Sequence, residues 1–81
     1  MTYTPLSGAY NRAILSAMKT LHETKNQLEA RDIVEEMNQD GWRTNTKRVA
    51  YRLRNVLHPQ FVDYSLERFG TRTKYWLKEV H

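Results

Sequence analysis

The sequence predicts a small α+β domain, mainly helical, in which three helices precede a two-stranded β-hairpin. Three observations carry this. Apolar residues recur at helical spacing in three windows before His58. From Val62 onward the period shortens to two. Gly41 and the His58-Pro59 pair stand where two of the helical windows end. The chain has 81 residues and 40% apolar content, which suits one domain with a modest core. At this size folding buries only about 60–65% of the surface that the unfolded chain exposes.

Residues 1–8 read as an N-terminal arm with turn chemistry, and residues 9–81 as the domain. Thr4-Pro5 could supply a cap and first helical residue, or Ser7 could cap instead. The first helix is expected over about 9–23. Tyr10, Ala13, Ile14, Ala17, Met18 and Leu21 form its apolar stripe, with Arg12, Ser16, Lys19 and Thr20 opposite. Glu23 to Gln27 is a polar connection, and Leu28 suits a short extended piece. Ala30, Ile33, Val34 and Met37 predict a second helix over about 29–38, with Glu29 and Asp32 placed favourably in its first turn. Asn38 to Gly41 is a stop, in which Gly41 suits a left-handed conformation. Trp42 follows and is expected in the core.

Thr44 is the expected N-cap of a third helix over about 45–57. Val49, Leu53, Val56 and Leu57 should face the core. His58 precedes a proline and so avoids the α region, which ends the helix. Val62, Tyr64 and Leu66, then Thr73, Tyr75 and Leu77, alternate with polar or outward residues. They predict strands over about 61–67 and 72–80 around a turn containing Gly70. An isolated hairpin is not stable in water, so it must pack on the helices.

Charge supplies the functional clue. Residues 1–40 carry four bases and six acids, net −2; residues 41–81 carry nine bases and three acids, net +6, which together give the chain's +4. Arg43, Lys47, Arg48, Arg52 and Arg54 fall on or beside the third helix, and no acid occurs from Gly41 to Val62. An ordinary solvated helix mixes signs so that acids pair with bases. An apolar stripe flanked only by bases has the form of a surface that meets phosphates.

Other chemistries find little support. There is no cysteine, hence no disulfide or thiolate metal site. His22, His58 and His81 are scattered and lack metal-ligand spacing. Glu35 and Glu36 diverge on a helix, and no nucleophile signature or glycine-rich phosphate loop is present, so an enzyme is not expected. No cofactor and no small-molecule ligand are expected. No apolar run is long enough to span a membrane, and no signal peptide is seen, so the expected location is cytoplasmic: nucleoid-associated, or host cytoplasm for a viral protein.

The order helix, helix, short turn, helix, hairpin resembles the winged helix-turn-helix fold over about residues 9–80. The resemblance rests on the second helix ending at Gly41, the segment Thr44-Asn45-Thr46-Lys47-Arg48-Val49-Ala50-Tyr51-Arg52-Leu53-Arg54, and a hairpin ending in Tyr75-Trp76-Leu77. Family members commonly show a threonine or serine start, a valine and an arginine-leucine pair in this helix. Glu29 departs from the pattern, since many members place a serine or threonine cap there. The resemblance implies a recognition helix in the major groove of double-stranded DNA, with Asn45, Thr46, Lys47, Arg48, Tyr51 and Arg52 toward base edges. It implies a wing whose Arg68, Thr71, Arg72 and Lys74 meet the backbone or minor groove. Arg43, Thr44, Arg54 and Asn55 complete the expected backbone contacts.

The expected function is therefore a duplex-DNA-binding protein, a small transcriptional regulator, with a homodimer plausible by analogy with palindromic sites. Four to six phosphates neutralised per subunit would give a log–log salt slope of roughly −4 to −5. Two other readings stay open: a winged-helix adaptor that binds protein within a larger assembly, and single-strand or RNA binding through Tyr51 and Trp76. Trp76 itself suits the outer sheet face or a partner contact.

Overall fold

The computed structural model describes residues 5–66 and 72–80, with the side chains of residues 5–7 and 80 left aside. Among the described residues the chain forms three α-helices and a two-stranded antiparallel sheet, a mainly helical α+β architecture. Helix α1 spans Pro5–Leu21, α2 Ala30–Gln39 and α3 Thr46–Arg52. A π-helical turn, Leu53–Leu57, extends α3. Strands β1 (Val62–Leu66) and β2 (Thr73–Leu77) follow, and a 3-10 turn closes the described chain at Lys78–Val80.

Helix α1 begins four residues earlier than its apolar stripe suggests, so residues 5–8 belong to the helix rather than to an arm. Pro5 is its first residue, where a missing N–H costs nothing. Ile14, Ala17 and Met18 of its stripe are buried, and Tyr10, Ala13 and Leu21 pack at the margin. The segment after it does more than connect. Leu28 pairs with Tyr75 as an isolated bridge, with N–H···O distances of 2.9 and 2.7 Å. This covers the edge of β2 that β1 does not pair, so that edge is not left open. His22 braces the same segment: Leu77 N–H donates to its Nε2 at 3.2 Å, and its Nδ1 meets the Lys25 carbonyl at 2.8 Å.

Glu29 is the N-cap of α2, and its backbone N–H donates to Asp32 Oδ2 at 3.0 Å. An acidic residue three positions on thus serves the orphan donor, and a hydroxyl cap is not needed. Ile33, Val34 and Met37 are buried as the spacing predicts. Gly41 adopts φ +96°, the left-handed conformation that ends α2. Trp42 is not core: it is 37% exposed and lies edge-on to Tyr10.

Asn45, not Thr44, caps α3. Its backbone is extended and its Oδ1 accepts the Arg48 N–H at 2.9 Å. The neighbouring threonine is occupied elsewhere, its Oγ1 hydrogen-bonded with the Tyr10 hydroxyl. Val49, Leu53 and Leu57 are buried, but Val56 is 44% exposed. The His58 N–H bonds the Leu53 carbonyl, an i→i+5 bond that widens the last turn, keeps Leu53 and Leu57 inward and rotates Val56 out of the stripe. His58 is extended, as expected before Pro59.

The hairpin pairs Val62 with Leu77 and Leu66 with Thr73. Val62, Tyr75 and Leu77 reach the core, whereas Leu66 is 62% exposed. The second strand is shorter than expected, since residues 78–80 curl into the 3-10 turn. The core is a single cluster drawn from all three helices, Leu28 and both strands, and contains no buried polar or charged residue among the described ones.

Candidate nucleic-acid interface

Helix α3 is short, and its orientation depends on contacts at both ends. At its start, the Gly41 and Trp42 N–H groups bond the Asn38 and Met37 carbonyls at 3.1 and 3.0 Å, which closes α2 and turns the chain. The Asn45 cap then fixes where α3 begins. From α1, Tyr10 reaches over: its hydroxyl holds Thr44 and its ring meets Trp42 at 5.5 Å between centroids. The Arg52 guanidinium lies 5.0 Å from the centre of the Tyr10 ring and donates to Asn11 Oδ1 at 3.0 Å. Both margins of α3 are thus tied to α1.

The hairpin side is tied through Arg54. Its Nε donates to the Tyr75 hydroxyl at 3.3 Å and its Nη2 to Thr73 Oγ1 at 3.2 Å. Its guanidinium lies 5.6 Å from the Tyr64 ring centre. The bond from Arg54 Nε gives the hydroxyl of Tyr75, which is buried, a polar partner.

Two grooves flank α3. One, of about 570 Å³, is lined by Tyr10, Asn45, Lys47, Arg48, Tyr51 and Arg52. It gathers five of the six residues expected at base edges. Lys47, Arg48 and Tyr51 are exposed there, Tyr51 by 63%. Arg52 does not project with them; its bonds to Asn11 and Tyr10 hold it half-buried. Asn45 spends its Oδ1 on the cap. The sixth residue, Thr46, is exposed and lines the second groove, of about 420 Å³, with Glu29, Arg31, Lys47, Arg54, Arg72 and Thr73 among its walls. Lys47 borders both.

The residues expected at the backbone separate in the same way. Arg43 is exposed. Thr44 is held by Tyr10, and Asn55 Nδ2 donates to the Tyr51 carbonyl at 3.0 Å. Lys74 Nζ donates to Glu29 Oε2 at 3.0 Å, and Arg72 lies 3.7 Å from the same oxygen. Arg68 and Thr71 lie outside the described residues. Among the described residues, no ion pair involves Arg43, Lys47, Arg48, Arg52 or Arg54.

Glu29 is the acid at this surface. The hydrogen bond from Lys74, with Arg72 and Arg31 adding attraction, holds its carboxyl below the ordinary glutamate range. Sequence reasoning missed it, along with Tyr10, Asn11 and Arg31. Tyr10 carried one signal, a hydroxyl at the edge of an otherwise apolar stripe. The other three act through partners more than forty positions away or, for Arg31, through Glu29, and nothing local announces them.

Among the described residues no group of acids and histidines is placed to hold a metal ion, and no helix is long and apolar enough to cross a membrane. No family model, no curated protein and no solved structure matches the chain.

Proposed function

We propose that this chain is a double-stranded-DNA-binding protein of the winged helix-turn-helix kind, acting as a small transcriptional regulator. Helix α3 enters the major groove and the β1–β2 hairpin serves as the wing. One observation carries the reading: Lys47 and Arg48 are exposed, without an ion-pair partner among the described residues, on a helix inside a segment that contains no acid. Such a surface attracts a polyanion at long range and releases counterions on contact. The order of elements, with a capped α3 presented after the α2 turn and a hairpin beside it, supports the fold reading. Lys47 and Arg48 sit in the first turn of α3, the part of a recognition helix that meets base edges.

Fluorescence anisotropy with a labelled random duplex and its separate strands, in about 50 mM salt, tests this. Binding to duplex in preference to either strand is expected, as is weakening with salt. No duplex binding, or tighter binding to single strands, overturns the reading.

A second reading, an adaptor that docks on protein, is favoured by the exposed apolar side chains Val56, Phe61 and Leu66. It takes precedence if the chain ignores duplex at low salt yet retains its fold.

A further inference from the structure

We propose that the groove between the start of α2, α3 and β2 is a phosphodiester-binding site whose resting occupant is the chain's own Glu29 carboxylate, so that Glu29 competes with the nucleic-acid backbone for Lys74 and Arg72. The inference rests on the duplex reading above and deepens it by naming the side chain that opposes binding.

The groove draws its cations from three elements: Arg31 from α2, Lys47 and Arg54 from α3 and its extension, and Arg72 from the approach to β2. Lys74 stands at its edge, bonded to Glu29. The hydroxyl-bearing Thr46 and Thr73 also line it. Among the described residues that line the groove, Glu29 is the one acid set against these cations. Glu29 Oε2 accepts from Lys74 at 3.0 Å and lies 3.7 Å from Arg72 Nη1, while Oε1 lies 3.8 Å from Arg31 Nη2. A usual surface ion pair joins one acid to one base and contributes little. Here one carboxylate is shared among three bases.

The sharing is incomplete. Only the Lys74 contact has hydrogen-bond length; the two arginine contacts are too long for one. Both guanidiniums therefore retain donors that a planar carboxylate at this position does not engage. A phosphodiester also presents two unesterified oxygens to which a guanidinium bonds in a fork, and, not being tethered to the groove wall as Glu29 is, it can close the 3.7 and 3.8 Å gaps to the two arginines. Lys47 borders both grooves, so a strand lying along the exposed face of α3 passes this one. Displacement of Glu29 by a backbone phosphate would free Lys74 and Arg72 for the strand.

The test compares Glu29→Gln with wild type. The backbone hydrogen bond that starts α2 runs from the Glu29 N–H and survives the change. Glu29→Gln should bind the same duplex about five- to tenfold tighter at 0.1 M salt, with a salt slope steeper by about one. The gain should vanish in Glu29→Gln/Arg72→Gln/Lys74→Gln. A folded Glu29→Gln that binds no tighter than wild type overturns the proposal, and so does a gain that survives the triple change. Inorganic phosphate supplies a readout without DNA. Amide signals of Arg31, Lys47 and Lys74 should shift at several-fold lower phosphate in Glu29→Gln; equal responses count against the site. Enhanced phosphate binding by the variant in a chain whose wild type ignores duplex would overturn the duplex reading and the competition with a nucleic-acid backbone, while supporting a phosphate site in the groove. Should Glu29→Gln lose its melting transition, the wild type decides by NMR. The Glu29 carboxyl carbon must shift when duplex is bound, and a signal that stays in place overturns the competition.

Discussion

Replacing Lys47 and Arg48 with alanine isolates the electrostatic part of the proposed mechanism. Both side chains are exposed and neither has an acidic partner among the described residues, so their removal breaks no ion pair there. The Arg48 backbone N–H still donates to Asn45, so the cap remains, and alanine favours helix. If each side chain neutralises one phosphate, each contributes about 0.9 to the slope of log affinity against log salt. Losing both should flatten the slope by about 1.8. At 0.1 M salt that corresponds to a loss of roughly 60-fold, or about 1.2 kcal/mol per cation. The assay is anisotropy on one duplex across a salt series from about 50 to 200 mM. Lys19→Ala serves as control: Lys19 lies on α1 and pairs with Glu79 at 3.6 Å, so its removal should leave the slope unchanged. A different result separates base reading from phosphate contact. If affinity for a preferred site falls while random duplex and slope do not, Lys47 and Arg48 read base edges, each contributing about 1–3 kcal/mol of discrimination. A double variant with unchanged affinity and unchanged slope on every duplex refutes the placement of α3 against DNA.

Three further outcomes are expected. His22→Ala should lower stability by about 1–3 kcal/mol in a denaturant melt, because the Leu77 N–H loses its acceptor and the Lys25 carbonyl its partner; an unchanged midpoint would show that water replaces both bonds. Gly41→Ala should cost about 1 kcal/mol, since an added Cβ meets nothing within 4 Å yet φ of +96° strains an L side chain; a stabilised variant would contradict that backbone geometry. The lowered Glu29 pKa makes a stabilising contribution that is present above the ordinary glutamate value of about 4.3 and is lost as pH falls through the folded-state value. Melting temperature should therefore fall less steeply in acid for Glu29→Gln than for wild type, and parallel acid limbs would show that the cations contribute nothing to the fold.

The helices and hairpin are legible in the sequence because each buries one stripe, and stripes repeat at the period of the element that carries them. Ile14, Met18, Ile33, Met37, Val49 and Leu53 are all buried where spacing places them. Val56 is the instructive exception. One i→i+5 bond changes the local period, and a periodicity argument that assumes 3.6 residues per turn cannot detect it. The cap of α3 shows a different limit. Thr44 and Asn45 are both cap-competent, and what separates them is the Tyr10 hydroxyl, thirty-four positions away, which takes the threonine. Trp42, expected in the core at the elbow between α2 and α3, is 37% exposed and lies edge-on to Tyr10 from α1.

The same non-local contacts divide labour among cations that look equivalent in sequence. Arg52 and Arg54 follow Lys47 and Arg48 on one basic stretch, and charge counting weighs all four alike. In the fold, Arg52 is spent on Asn11 and the Tyr10 face, and Arg54 on Tyr75, Thr73 and Tyr64. Those two side chains clamp α3 between α1 and the hairpin, while Lys47 and Arg48 remain outward. Alanine at Arg52 or Arg54 should therefore act differently from alanine at Lys47 or Arg48. It should lower the melting temperature, because a guanidinium stacked on a ring contributes packing as well as charge. Any loss of duplex affinity should then appear alongside lost stability, whereas Lys47→Ala/Arg48→Ala should weaken binding with the melt unmoved. If Arg52→Ala leaves the melt unchanged and flattens the salt slope as much as Arg48→Ala, the clamp does not operate and Arg52 belongs with the phosphate contacts.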